Sequence, residues 1–179
     1  MTMSDRIAVM NQGHLEQLGD PESLYERPST RFVAGFLGIS NLLPGAVEGT
    51  DGRYATVRMA DTTSIRAPSA LVGSHADVSV GVRPEKIRLR EPADETPDGH
   101  NRMPGVVRDA SYLGVSTQYL VEARGGARLT VYEQNVERAT RAELWARGEE
   151  VVLTWSPDHS FVVVDQPTAA PTNGSATPA

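Results

Sequence analysis

The sequence predicts a mainly β protein, a small barrel preceded by a short α+β segment. Three observations carry that expectation. Beyond Asn41 the chain breaks into many short apolar runs punctuated by Gly and Pro, the texture of an all-β barrel. Val78, Val80 and Val82 alternate with Asp77, Ser79 and Gly81, the period-two pattern of a half-buried strand. Helical spacing of apolar residues is confined to the first 38 residues.

The elements follow in chain order. Ile7-Ala8-Val9-Met10 and the run from Leu15 to Leu18 read as a hairpin turning on Asn11-Gln12-Gly13. Asp20-Pro21 opens a helix: the carboxylate can accept from free amides, and Pro in the first turn loses nothing. Pro28 ends it and Ser29 is placed to cap another. In that second helix Phe32, Val33, Phe36 and Leu37 share a face as far as Gly38, a face suited to contact the barrel. Gly35 inside it costs about 1 kcal/mol relative to Ala, so the helix depends on packing.

Ile87 and Leu89 alternate with Arg88 and Arg90 after Pro84-Glu85. Glu91 to Asn101, rich in Pro, Gly and acids, reads as a solvated loop. Further strands are expected at Val106 to Tyr112, Thr117 to Ala123 and Ala127 to Tyr132. Gly125-Gly126 turns the last two, since both residues accept positive φ. Val151, Leu153 and Trp155 face one way on a late strand, and Ser156-Pro157-Asp158-His159 turns the chain into Phe161 to Val164. No internal repeat is evident. Domain limits are expected at 1–38, 39–165 and 166–179, the last an uncharged, disordered tail.

At 179 residues the chain can bury one good core or two small ones. Only 6% of residues are aromatic, so that core must be built of Val, Leu, Ile and Ala. With no cysteine there are no disulfides, thiolate metal sites or cysteine nucleophiles. A net charge of −6 disfavours a phosphate-gripping surface, and Lys86 is the only lysine. No apolar run approaches the roughly 18–20 residues of a membrane helix, so membrane association would run through partners.

The stretch Ser4 to Pro28, continuing through Ser29-Thr30-Arg31-Phe32-Val33-Ala34-Gly35-Phe36-Leu37-Gly38, resembles the end of the nucleotide-binding domain in ATP-binding subunits of ABC importers. The spermidine/putrescine type is the most similar, with maltose and iron types nearby. The β-rich part resembles that family's C-terminal TOBE domain through three motifs. These are Gly81-Val82-Arg83-Pro84-Glu85, Tyr112-Leu113-Gly114 with Tyr119-Leu120-Val121, and Gly148-Glu149-Glu150-Val151 leading to Trp155-Ser156-Pro157. The resemblance implies an OB-like barrel over 39–165 behind a remnant of the nucleotide-binding domain over 1–38. It also implies a homodimer of ATP-binding subunits whose barrels touch, with transmembrane permease subunits as partners through the catalytic domain. Cytoplasmic placement against the inner face of the membrane follows from those partners. ATP and Mg belong to the whole family, and the residue matching its switch histidine would precede Met1. Whether the opening reflects a mis-assigned start, a truncation or a split subunit stays open. Residues 1–38 are expected to expose apolar surface and strand edges, and the barrel is expected to stay folded without them.

A glycine-rich phosphate loop ending in Gly-Lys-Ser/Thr does not occur, because Lys86 follows Glu85. The Leu-Ser-Gly-Gly signature and the Asp-Glu pair for Mg are also missing, so this chain is expected not to hydrolyse ATP or to hold a catalytic, cofactor or metal site. His14, His75, His100 and His159 are scattered, without ligand spacing. Ser116 lacks the second glycine of a nucleophile elbow, and Glu149 and Glu150 point to opposite faces. Regulatory or interface candidates are Arg83, Glu85, Tyr112 and Trp155. The plainer reading has Pro84 fixing a bend while Arg83 and Glu85 pair with nearby backbone or each other, and Tyr112 and Trp155 in the core or rim. An alternative function is a small oxyanion-binding TOBE module using Ser40 and Asn41, whose segment lacks the intervening basic residue. Nucleic acid is not an expected partner, because single-strand binding wants a positive groove with successive aromatics.

Overall fold

Gln12 and Gly13 hold φ of 49° and 83°, the geometry of a two-residue hairpin turn, and join β1 (Ile7–Asn11) to β2 (His14–Gly19). The computed structural model describes residues 4–135 and 144–164; the tail expected at 166–179 lies outside them. Helix α1 (Pro21–Glu26) starts as its sequence dictates, with Asp20 accepting from the Ser23 amide. The cap of α2 (Arg31–Phe36) is Thr30, not Ser29: its hydroxyl accepts from the Val33 amide.

The contact face of α2 also differs from expectation. Val33 and Ala34 are buried, whereas Phe32 and Phe36 stack on each other at the surface with ring centroids 5.9 Å apart. In so short a helix only one side reaches the body of the protein, and the two small residues fit there. Met10, Leu15 and Leu18 of the hairpin are exposed, as expected.

The remaining strands are β3 (Asn41–Thr50), β4 (Tyr54–Arg58), β5 (Ser64–Pro68), β6 (Asp77–Val82) and β7 (Arg88–Arg90). They continue as β8 (Asn101–Tyr112), β9 (Ser116–Ala123), β10 (Arg128–Gln134), β11 (Glu150–Trp155) and β12 (Ser160–Val163). A short helix, α3 (Ser69–Val72), lies between β5 and β6. All pairing is antiparallel, in two five-stranded sheets of order β5-β4-β3-β6-β12 and β10-β9-β8-β11-β7. Leu43, Val57, Ile65 and Val80 of one sheet share a core with Met103, Val121, Leu129 and Leu153 of the other. The protein is mainly β, with curled sheets consistent with an OB-like fold.

Written side by side, the sheet orders superpose: β3 matches β8, β4 matches β9, β5 matches β10, β6 matches β11 and β12 matches β7. Asn41-Leu-Leu-Pro-Gly-Ala-Val47 then lies against Asn101-Arg-Met-Pro-Gly-Val-Val107, an internal repeat that corrects the sequence expectation. It is short and its halves are separated by loops of unequal length, so only the shared register exposes it. Both first strands bulge after the motif valine, between Val47 and Gly49 and between Val107 and Asp109. Both motif glycines leave no room for a side chain. A Cβ on Gly45 would lie 2.7 Å from the Arg58 carbonyl oxygen, and one on Gly105 would lie 2.8 Å from a Val121 methyl. Each copy lines a surface groove, of about 640 Å³ and 540 Å³.

The halves exchange strands. After β6 a 3₁₀ turn at Pro84–Lys86 sends the chain into the second sheet as β7, and after β11 a 3₁₀ turn at Pro157–His159 returns it to the first as β12. Two buried asparagines join the halves further. Asn41 donates to the Thr130 carbonyl at 2.8 Å and accepts from the Thr130 amide at 2.7 Å. Asn101 does the same to Arg66, at 2.9 Å and 2.7 Å. Each carboxamide stands in for a peptide group, satisfying backbone that the sheet ladder does not reach.

Strand β6 was expected to be half-buried and is covered on both faces. Val78, Val80 and Val82 enter the core, while Ser79 receives the Arg31 guanidinium and Gly81 lies beneath the Phe161 ring. The N-terminal segment and β12 supply the second cover. The loop from Glu91 is exposed as expected, but it ends one residue early, because Asn101 is buried as the first residue of β8.

Candidate functional site

Arg83 directly follows β6, where extended backbone leads into the 3₁₀ turn begun by Pro84. Its side chain points back between the barrel and the N-terminal segment and is 1% exposed. Burying a guanidinium demands partners for its donors. Nη2 donates to the Tyr25 carbonyl at 2.7 Å, and Nη1 to the Ala34 carbonyl at 3.0 Å, the Gly38 carbonyl at 3.3 Å and Ser40 Oγ at 2.6 Å. The guanidinium also lies 4.1 Å from the Tyr25 ring centroid and 5.5 Å from that of Phe161. Burial pulls its pKa down, and Tyr25, Glu85 and Glu26 oppose the shift.

Glu85 sits one turn position away and accepts from the Tyr25 phenol at 2.8 Å. Burial first, and then Glu85, push the Tyr25 pKa up to about 12. A raised pKa favours the protonated donor, so this bond holds through neutral pH and fades only as pH climbs towards 12. Lys86 pairs with Glu26 at 3.0 Å on a half-exposed surface, which contributes at most about 1 kcal/mol. Arg83 and Glu85 therefore sit together on one joint, with backbone as the main partner of Arg83.

The other sequence candidates lie elsewhere. Trp155 is buried in the shared core, its indole donating to Ser160 Oγ at 3.1 Å. Tyr112 is 67% exposed near the β8–β9 turn, beside exposed Leu113 and Val115. Ser40 Oγ accepts from Arg83 and donates to the Ala34 carbonyl, while Asn41 is committed to Thr130. Both oxyanion candidates are engaged within the chain. Sequence reasoning missed Tyr25, Phe161 and Asn101; the repeated Asn-x-x-Pro-Gly-x-Val would have drawn attention to Asn101 alone. Among the described residues no three His, Asp or Glu side chains group to hold a metal, and no helix is long and apolar enough to cross a membrane.

Two curled five-stranded sheets around one core, tied to an N-terminal hairpin and helices through a buried arginine, define a small OB-like β domain. Residues 80–163 match the TOBE domain family. Over 91% of its length the chain is similar to the C-terminal part of ATP-binding proteins of spermidine/putrescine import. It is 40% identical over 164 residues to the spermidine/putrescine import ATP-binding protein PotA of Thermobifida fusca, covering 91% of this chain and 41% of that protein. Against its counterpart in Acidothermus cellulolyticus the identity is 42% over 166 residues, 92% of this chain and 42% of that protein. The chain spans less than half the length of these relatives and corresponds to their C-terminal part. In fold it is similar to the cytoplasmic molybdate-binding protein ModG with molybdate bound, at a TM-score of 0.59 and 14% identity over 70% of this chain and 96% of that one.

Proposed function

We propose that this chain is the regulatory and dimerisation region of the ATP-binding subunit of a polyamine-type importer. On this reading it works in the cytoplasm, held at the membrane through permease subunits, and pairs with a second ATP-binding subunit. It does not hydrolyse ATP itself; ATP and Mg are handled by the nucleotide-binding part of such a subunit. The observation that carries the reading is the Arg83 joint, which ties the segment resembling a nucleotide-binding domain to the barrel through backbone carbonyls on both helices. A movement of one part is then transmitted to the other without passing through a flexible linker.

The same joint bears on the boundary near residue 38. Removing 1–38 would take away the Tyr25, Ala34 and Gly38 carbonyls and strip the cover from Arg83 and from the outer face of β6. The barrel is therefore expected to lose stability when the segment is deleted.

The test is a chimera joining the upstream part of the Thermobifida fusca relative to this chain, expressed with that relative's permease subunits. ATP-dependent spermidine uptake is expected, together with a dimeric mass for the 179-residue chain in sedimentation equilibrium. A stable chimera that hydrolyses ATP without driving uptake, or a chain that stays monomeric at every soluble concentration, would count against the reading. The alternative oxyanion module has less support, since Ser40 and Asn41 are already engaged; saturable molybdate uptake in equilibrium dialysis, lost in S40A, would revive it.

A further inference from the structure

The repeat makes each half a control for the other, and at one place they diverge chemically. Val82 and Trp155 occupy equivalent positions opposite Asn41 and Asn101, so the next residues, Arg83 and Ser156, are counterparts. Each precedes a 3₁₀ turn beginning with Pro, and the acid that follows accepts a tyrosine phenol: Glu85 from Tyr25 at 2.8 Å, Asp158 from Tyr54 at 2.9 Å. In the first half the Arg83 side chain occupies the space beneath this turn and reaches Ser40. In the second half Ser156 has no side chain long enough to do so, and a cavity of about 190 Å³ lies there. That is the share of several waters in liquid volume.

The lining of this cavity has the opposite character to that of its twin. Arg88 stands where the first half has Phe161, as the cross-strand neighbours Thr154 and Gly81 show. Arg90 follows on the same face of β7, and His100 takes the place of Ser40 ahead of the motif asparagine. His159, Thr154 and Ser156 complete the polar wall. Of the other charged groups in the lining, Glu85 is occupied by Tyr25 and Lys86 by Glu26. Among the described residues neither Arg88 nor Arg90 has a carboxylate partner, and the Nε of Arg90 is buried with no acceptor. Arg88 Nη1 donates to the Glu85 and Ile87 carbonyls at 2.9 Å and 3.2 Å, which holds its guanidinium at the cavity without neutralising it, so two like charges with no carboxylate among the described residues favour an anion there.

We propose that this cavity is a binding site for a small phosphate-class oxyanion, either free phosphate or the phosphoryl group of a small ester. Arg88 and Arg90 supply charge and donors, and the Ser156 hydroxyl, which only accepts within the chain, adds another; the Thr154 hydroxyl donates to the Arg88 carbonyl at 3.4 Å. The site shares no residue with the Ser40–Asn41 segment and does not depend on the transport reading. The cation that fills the first half is covalent; in the second half the filling is an exchangeable anion.

The test is titration calorimetry of the 179-residue chain with inorganic phosphate against chloride at matched ionic strength. Saturable binding is expected, weakened about tenfold or more in R90Q and in R88Q. S156M, which fills the cavity as the Arg83 stem does but without charge, is expected to remove it. Because Arg88 is exposed, R88Q keeps the test decisive if R90Q fails to fold. Tighter binding of glycerol 3-phosphate than of phosphate would identify esters as the ligand, and the reverse would identify the free ion. Absence of saturable phosphate binding by the unmodified chain, or unchanged binding in R88Q and S156M, overturns the proposal.

Discussion

The two halves of the barrel share strand order, register, bulge and an interlocking asparagine, yet they close one equivalent space by different means. In the first half a buried arginine, two aromatic rings and the ends of α1 and α2 fill it. In the second half an exposed loop runs past an unfilled, arginine-lined cavity. Backbone geometry is thus what the repeat retained, while Arg83 against Ser156, Phe161 against Arg88 and Ser40 against His100 separate a filled joint from an open cavity. Similar backbones do not dictate similar packing; the side chains set on them decide.

The sharpest way to break this comparison is to substitute that pair. R83M leaves the Tyr25, Ala34 and Gly38 carbonyls without their donor and is expected to cost about 3–5 kcal/mol in urea unfolding. S156A removes only a hydroxyl that accepts from the Asp158 amide at 3.3 Å, and should cost about 0.5–1 kcal/mol. Equal losses would mean that Arg83 is not what distinguishes the halves.

The asparagines test the symmetry itself. N41A and N101A each orphan one amide and one carbonyl of the opposite half, for an expected loss of about 2–4 kcal/mol apiece. The two losses should agree to within about 1 kcal/mol, and a larger gap would show that the two joins are not energetically equivalent. Smaller effects are expected from the motif glycines, about 1–3 kcal/mol for G45A and G105A by thermal unfolding. G45A should cost more, because its methyl meets the Arg58 carbonyl oxygen and carbon at 2.7 Å and 3.1 Å, atoms that cannot rotate away. For G105A the nearest neighbour is a Val121 methyl at 2.8 Å and the Glu122 carbonyl oxygen stands off at 3.0 Å, so a greater loss there would reverse the ranking of the two contacts.

Much of the fold was legible where local chemistry decides it. The Gln12-Gly13 and Gly125-Gly126 turns, the Asp20-Pro21 helix start and the alternation at Val78–Val82 all lie where the sequence places them. The misses share a different cause. By type Ser29 is the better cap of the two, and only the path of the chain, which gives Ser29 to Gln17, selects Thr30. Asn101 reads as the end of a loop and Asn41 as an oxyanion candidate, because their partners, Arg66 and Thr130, are distant in sequence and close only after the halves cross. Arg83 and Glu85 could be singled out together by their motif. That Arg83 would be wholly buried against carbonyls of α1 and α2 depended on tertiary placement, which no spacing rule contains.

The strand exchange has a consequence for the order of events during synthesis. The first sheet lacks its β12 edge until the chain has been made as far as Val163, although its other four strands are complete by Val82. A nascent chain paused anywhere between those points offers the outer edge of β6 as an unsatisfied template, open to any passing strand. Translation speed and chaperone access over that interval, more than the stability of the finished barrel, would then govern how much of the protein reaches its native state.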